Sequence, residues 1–133
     1  MTHSSLLSRL VLLIALLTTA GCDLLDSPGV YCTENFVFGL EVAVQDSSTG
    51  AAAASGAQLI AQEGAWADTV GFPSDRPDLD ALPLVSAGER PGTYTVRVRK
   101  SGFRDWQRTG VVVTADECHV HPVELTARLQ PAA

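Results

Sequence analysis

The sequence has little of what nucleic-acid-binding and catalytic sites require. It holds nine lysine and arginine residues against fifteen aspartate and glutamate residues, a formal net charge of −6. Binding of a phosphate backbone by charge needs clustered lysine and arginine, so we expect no nucleic-acid partner. Neither a glycine-rich phosphate loop nor a Gly-x-Ser-x-Gly nucleophile motif is present. We therefore predict that the protein is not an enzyme and has no catalytic residues.

No apolar run is long enough to span a membrane. Leu10–Leu17 contains eight apolar residues in a row, whereas a spanning helix needs about 20. Arg9 supplies positive charge before this run, and small residues follow it up to Gly21. A positive start, a short apolar core and small residues at the cleavage point are typical of a secretory signal. The pattern predicts that the chain is exported.

The residues that end this segment, Thr19-Ala20-Gly21-Cys22, resemble the lipobox of bacterial lipoproteins. The resemblance implies that residues 1–21 are a signal peptide and that the sulfur of Cys22 carries diacylglycerol with palmitate-like chains. Residues 22–35 would be the lipidated cysteine and tether. The alternative is an ordinary signal peptide cut near Ala20. Lipidation would place the domain in the cell envelope, outside the cytoplasm and anchored to a bacterial membrane. We expect the outer membrane, although Asp23 resembles the inner-membrane retention signal of some enteric bacteria.

Two further cysteines remain if Cys22 carries lipid. Exported proteins reside where disulfides persist, so we predict that Cys32 pairs with Cys118. The bond requires Cα atoms within roughly 4.4–6.8 Å of each other, and it would fasten the tether to the last strand. The alternative is two free thiols.

Beyond the tether, apolar residues recur with the period of two that is typical of strands. Ala51–Ala54 is too short to nucleate a helix between its flanking glycines, so we predict a loop there. Pro83 makes the neighbouring strand an edge candidate. Short strands with frequent turns and no helical pattern predict an all-β, seven-stranded antiparallel β-sandwich over residues 36–129, with a tail at 130–133. The predicted strand segments are 36–45, 57–62, 66–70, 82–86, 93–100, 103–106, 111–113 and 118–129.

Several turn and core motifs resemble the carboxypeptidase regulatory-like domain. They are Asp46-x-x-Thr49-Gly50, Gly56-Ala57, Gly92-x-Tyr94-x-Val96-x-Val98, Ser101-Gly102-Phe103, Val111-x-Val113 and Val123-x-Leu125. The resemblance covers about residues 36–129 and implies a transthyretin-like, Ig-like sandwich. Residues 64–86 depart from it, because the hairpin motif usual in that family is missing there. These motifs concern turns and core positions, so they say almost nothing about activity.

Two clusters are candidates for metal binding. His119 and His121 would point the same way on a strand, but a zinc site normally needs three or four protein ligands, and His3 is lost with the signal. We therefore predict no metal site and no cofactor there. Asp75, Asp78 and Asp80 offer the oxygen ligands that calcium prefers; their spacing does not match the calcium-loop pattern, and whether they bind calcium stays open.

The function that we expect is that of a non-catalytic, lipid-anchored envelope module with a structural or protein-interaction role. The alternative is a small carbohydrate-binding module, for which Trp66, Phe72, Phe103 and Trp106 would supply a stacking surface. The partners expected are a membrane, through the lipid, and an envelope protein or a glycan. Fold alone does not decide between these functions.

Overall fold

The computed structural model describes residues 29–133; the predicted signal segment 1–21 and the lipidation site Cys22 lie outside the described residues. Cys32–Ala133 form one compact unit. Its strands are β1 Phe38–Asp46, β2 Ala57–Glu63, β3 Trp66–Gly71, β4 Leu84–Gly88, β5 Gly92–Lys100, β6 Trp106–Val113 and β7 Val123–Leu129, and a 3-10 turn spans Pro77–Leu79. The prediction of an all-β fold with seven strands is confirmed. Within the described range, no helix is long and apolar enough to cross a bilayer.

The strands form two sheets, with the orders β4-β1-β7 and β3-β2-β5-β6. Edge strand β4 follows Pro83, in keeping with its predicted position. One pair, β1 with β7, is parallel, with Leu40 opposite Val123 and Asp46 opposite Leu129. The predicted wholly antiparallel sandwich is therefore wrong at this pair. The strand before β7 in the chain is β6, which belongs to the other sheet. The chain therefore crosses between the sheets before it forms β7, and parallel strands such as β1 and β7 require a crossover connection of this kind.

Alternating side chains from both sheets form one apolar core. Tyr94 is the largest fully buried side chain, and its hydroxyl donates a hydrogen bond to the carbonyl oxygen of Arg90 at 2.8 Å. That bond offsets the cost of burying a phenol. The core positions on β1, β5 and β7 are Leu40, Val42, Val44, Tyr94, Val96, Val98, Leu125, Ala127 and Leu129.

Strand β6 is continuous, so the predicted division of this region into two pieces at Gly110 is wrong. The register against β5 shifts between Tyr94 and Val96, and Gly110 has a φ of 68°. A glycine in this left-handed region absorbs the extra residue of a β-bulge. The glycine therefore bends the strand without ending it.

The last strand begins at Val123, not at Cys118 as the alternation predicted. Pro122 has no N–H to donate to a ladder. The Oδ1 atom of Asp116 accepts the backbone N–H groups of Cys118 and His119 at 2.8 and 3.0 Å, which diverts this backbone from strand pairing. Residues 114–122 are consequently a connection, here called the β6–β7 loop. Ala51–Ala54 forms a loop, as predicted.

Candidate functional site

The disulfide between Cys32 and Cys118 organises one end of the compact unit. Its Cα atoms are 5.2 Å apart and its sulfurs 2.06 Å apart. The bond joins the segment that precedes β1 (residues 32–37, here called the β1 lead-in) to the β6–β7 loop. The predicted pairing is confirmed, but Cys118 lies in a loop and not in the last strand.

Asp116 shapes the β6–β7 loop around Cys118. Besides the two backbone N–H groups, its carboxylate accepts a hydrogen bond from Nε2 of His121 at 3.3 Å. These contacts, led by the backbone N–H of His119, lower the pKa of Asp116 from 3.8 to about 2. Hydrogen bonds to an ionised carboxylate favour its charged form. Asp116 therefore fixes the backbone at Cys118 and His119 while it is ionised.

Glu89 joins three segments that are distant in sequence. It lies in the turn between β4 and β5, with a φ of 47°. Its Oε1 accepts the backbone N–H of Val37 at 2.8 Å, and its Oε2 accepts the N–H of Val120 at 3.4 Å. The N–H of Glu89 donates to the carbonyl oxygen of Val37 at 2.8 Å. The Val37 bond is the main cause that lowers the pKa of Glu89. Glu89 thus holds the β1 lead-in and the β6–β7 loop together beside the disulfide.

His119 lies between Glu89 and a hydroxyl group. Its Nδ1 is 2.8 Å from Oε1 of Glu89, and its Nε2 is 3.0 Å from Oγ1 of Thr33. Because a carboxylate only accepts, Nδ1 carries the proton and donates to Glu89. In the neutral imidazole, Nε2 then accepts the Thr33 hydroxyl proton. A hydroxyl, an imidazole and a carboxylate in this order can move a proton away from the hydroxyl oxygen.

An open cleft of about 530 Å³ lies beside these groups. The disulfide cysteines, Glu89, His119, Phe36 and others line it. Phe36 is 65% exposed, and its ring meets that of Phe38, itself 37% exposed, edge-to-face at 5.2 Å between centroids. The Phe36 ring occupies the space that a side chain at Gly88 would need. An apolar aromatic surface and a polar relay therefore lie at the same end of the sandwich.

The two histidines do not share a strand face, so the premise of the paired-histidine site is wrong. Both lie in the β6–β7 loop. His121 interacts with Thr114 through Nδ1 at 3.1 Å and with Asp116 through Nε2, whereas His119 is bound to Glu89 and Thr33. Across residues 29–133, no group of three or more histidine, cysteine, aspartate or glutamate side chains could hold a metal ion.

Two of the aspartates between residues 75 and 80 bind different groups of the protein. Asp78 forms an ion pair with Arg76 at 2.7 Å. Oδ1 of Asp80 accepts the backbone N–H of Ser55 at 2.7 Å. Two of the three carboxylates considered for calcium thus bind groups of the protein itself.

The aromatic residues considered for sugar stacking pack against the core. Trp66, Phe72, Phe103 and Trp106 are each partly buried there. The guanidinium of Arg90 covers the Trp66 ring at 4.6 Å from its centroid, and Tyr94 meets the same ring at 5.6 Å. The four side chains belong to the sandwich interior and its margin, where they stabilise the fold.

No protein-family model matches this sequence, and no curated protein is similar to it.

Proposed function

We propose that the chain is a lipid-anchored, non-catalytic module of a bacterial cell envelope, with a structural or protein-interaction role. The anchor is the acylated Cys22, and the module is a sandwich of the carboxypeptidase regulatory-like, transthyretin-like type. The observation that carries this proposal is the Cys32–Cys118 disulfide. Such bonds persist in oxidising compartments, which supports export, and this one fastens the chain ten residues beyond the acylated cysteine.

The geometry of the disulfide end suits a module that is held by its N-terminus. Four bonds support the β1 lead-in there: the disulfide, the Thr33–His119 hydrogen bond and the two hydrogen bonds between Glu89 and Val37. A pull on the tether therefore reaches the β6–β7 loop before it reaches β1.

Detergent phase partitioning of the wild type and of Cys22→Ala, expressed in a bacterial host, tests the anchor. The wild type should enter the detergent phase, and any processed Cys22→Ala protein should stay in the aqueous phase. Equal aqueous partitioning of the two would reject the anchor. Crosslinking in the native envelope, followed by identification of the captured chain, tests the interaction role.

A second candidate function, ester hydrolysis, is favoured by the order Thr33, His119, Glu89 beside an open cleft. The Thr33 oxygen would attack an ester carbonyl while Nε2 of His119 takes its proton. The proton would then pass to the departing alcohol, and water would release the acid from Thr33. A fluorophosphonate probe should label wild-type protein at Thr33 and fail on Thr33→Val and His119→Gln. No labelling of the folded wild type would reject this second function.

A further inference from the structure

The exposed aromatic pair Phe36–Phe38 lies outside the apolar core of the described residues. By the period of two, Phe38 belongs to the buried face of β1 that carries Leu40, yet 37% of it stays accessible, and Phe36 is 65% exposed. The rings contact each other edge-to-face, so their exposed surfaces are continuous. Exposed apolar patches are typical of surfaces that contact another phase or another molecule.

The position of this pair relative to the tether indicates what covers it. The argument rests on the proposed lipid anchor. Cys32 lies ten residues after Cys22, so the chain between them can span at most about 36 Å. Phe36 lies four residues after Cys32, and the disulfide fixes Cys32 in place. A short tether keeps this end at an effective concentration on the order of millimolar near the bilayer, so a weak contact suffices to populate the docked state.

Charge at the same end selects the kind of lipid surface. Glu34, Asp116 and Glu117 are exposed around the disulfide. Carboxylates are repelled by anionic headgroups, whereas basic residues would be attracted to them. The surface therefore fits zwitterionic headgroups.

We propose that Phe36 and Phe38 are a membrane-contact site, which seats the disulfide end of the sandwich on a zwitterionic bilayer interface once the lipid anchor is inserted. The phenyl rings would enter the boundary between headgroups and acyl chains, where aromatic and other apolar side chains of peripheral proteins are buried. The carboxylates would remain in the water above it.

The test uses the full lipidated chain reconstituted in phosphatidylcholine vesicles that carry brominated acyl chains, which quench tryptophan fluorescence on contact. Phe36→Trp reports from the proposed site. Leu82→Trp is the matched control, because Leu82 is 49% exposed and precedes the end of β4 that pairs with Val42, away from Phe38. The partly buried Trp66 and Trp106 give a constant background. Bromination should reduce the added fluorescence of Phe36→Trp at least twofold and leave that of Leu82→Trp unchanged.

Other outcomes reject the proposal for identifiable reasons. Flotation of the wild type with vesicles is measured first. A protein that does not float lacks the lipid anchor, and both the proposed function and the proposed membrane contact are then rejected. A protein that floats while both added tryptophans respond equally, or neither responds, has the anchor but not the contact. Equal quenching in phosphatidylglycerol vesicles would overturn the preference for zwitterionic lipid. A concentration-dependent blue shift of Phe36→Trp emission in vesicle-free Cys22→Ala protein would assign the patch to a second copy. Phe38→Trp gives a second reporter if Phe36→Trp does not fold.

Discussion

Replacing Cys32 with serine removes the covalent link between the β1 lead-in and the β6–β7 loop. The paired cysteines are 86 residues apart in sequence, and for such a loop the chain-entropy model gives about 4.6 kcal/mol at 25 °C. Fraying of the freed segment in the native state would reduce this cost. Glu89 still binds Val37, and His119 still binds Thr33, so little fraying is available. We therefore expect the free energy of unfolding to fall by about 3–5 kcal/mol.

Urea unfolding in a Cys22→Ala background, where Cys32 and Cys118 are the only cysteines, measures this cost. Cys32→Ser, Cys118→Ser and the double mutant should be equally destabilised, because each lacks the same bond. The slope of the free energy of unfolding against urea concentration should be steeper in all three mutants, since an unfolded chain without the crosslink exposes more surface. Reductant should bring the parent protein to the level of the mutants and leave the mutants unchanged. Additive costs, or titration of two free thiols in the oxidised parent, would refute the reasoning.

Three further predictions concern acid, packing and metal. The free energy of unfolding should fall between about pH 4 and pH 2. Asp116 has a pKa of 3.8 in the unfolded chain and of about 2 in the folded protein, so its ionised carboxylate stabilises the fold above pH 3.8, and this effect is lost as the pH falls through 2. Asp116→Asn should flatten this part of a pH–stability curve measured by urea unfolding. Gly39→Ala should cost about 1–3 kcal/mol in the same assay, because its Cβ would lie 2.7 Å from Cγ1 of Val113, and adding Val113→Ala should recover part of the loss. Elemental analysis of purified protein should find no stoichiometric zinc; one zinc per chain that disappears in His121→Ala would contradict this.

Strand positions could be predicted because alternation is a local signal. Tyr94, Val96 and Val98 alternate with polar neighbours, and all three are buried as the pattern indicates. The same signal failed near Cys118, where alternation continues through a loop. There the deciding facts were a proline and the Asp116 carboxylate, which competes for backbone N–H groups. Alternation reports which side chains could share a face, but not whether a partner strand is present.

The disulfide was predictable by elimination, whereas the polar network beside it was not. In the sequence, nothing distinguishes Glu89 from the other residues between Gly88 and Gly92. Its contacts with Val37 and His119 span 52 and 30 residues, and Thr33 contacts His119 across 86. No local pattern encodes pairings at such separations, because they depend on how the sheets stack. The positive φ of Glu89 is equally invisible in a residue type that rarely adopts it.

The disulfide also determines how the module responds to proteolysis. Strands β1 to β6 lie between its two cysteines, and only β7 follows them. A protease that cuts one peptide bond inside this covalent ring, for instance in the connection around Pro77–Leu79, leaves both pieces joined through sulfur. If the chain is anchored through Cys22 as proposed, a nicked module would stay whole on that anchor. Under the proposed anchoring, release of the whole sandwich by a single cut requires cleavage between Cys22 and Cys32.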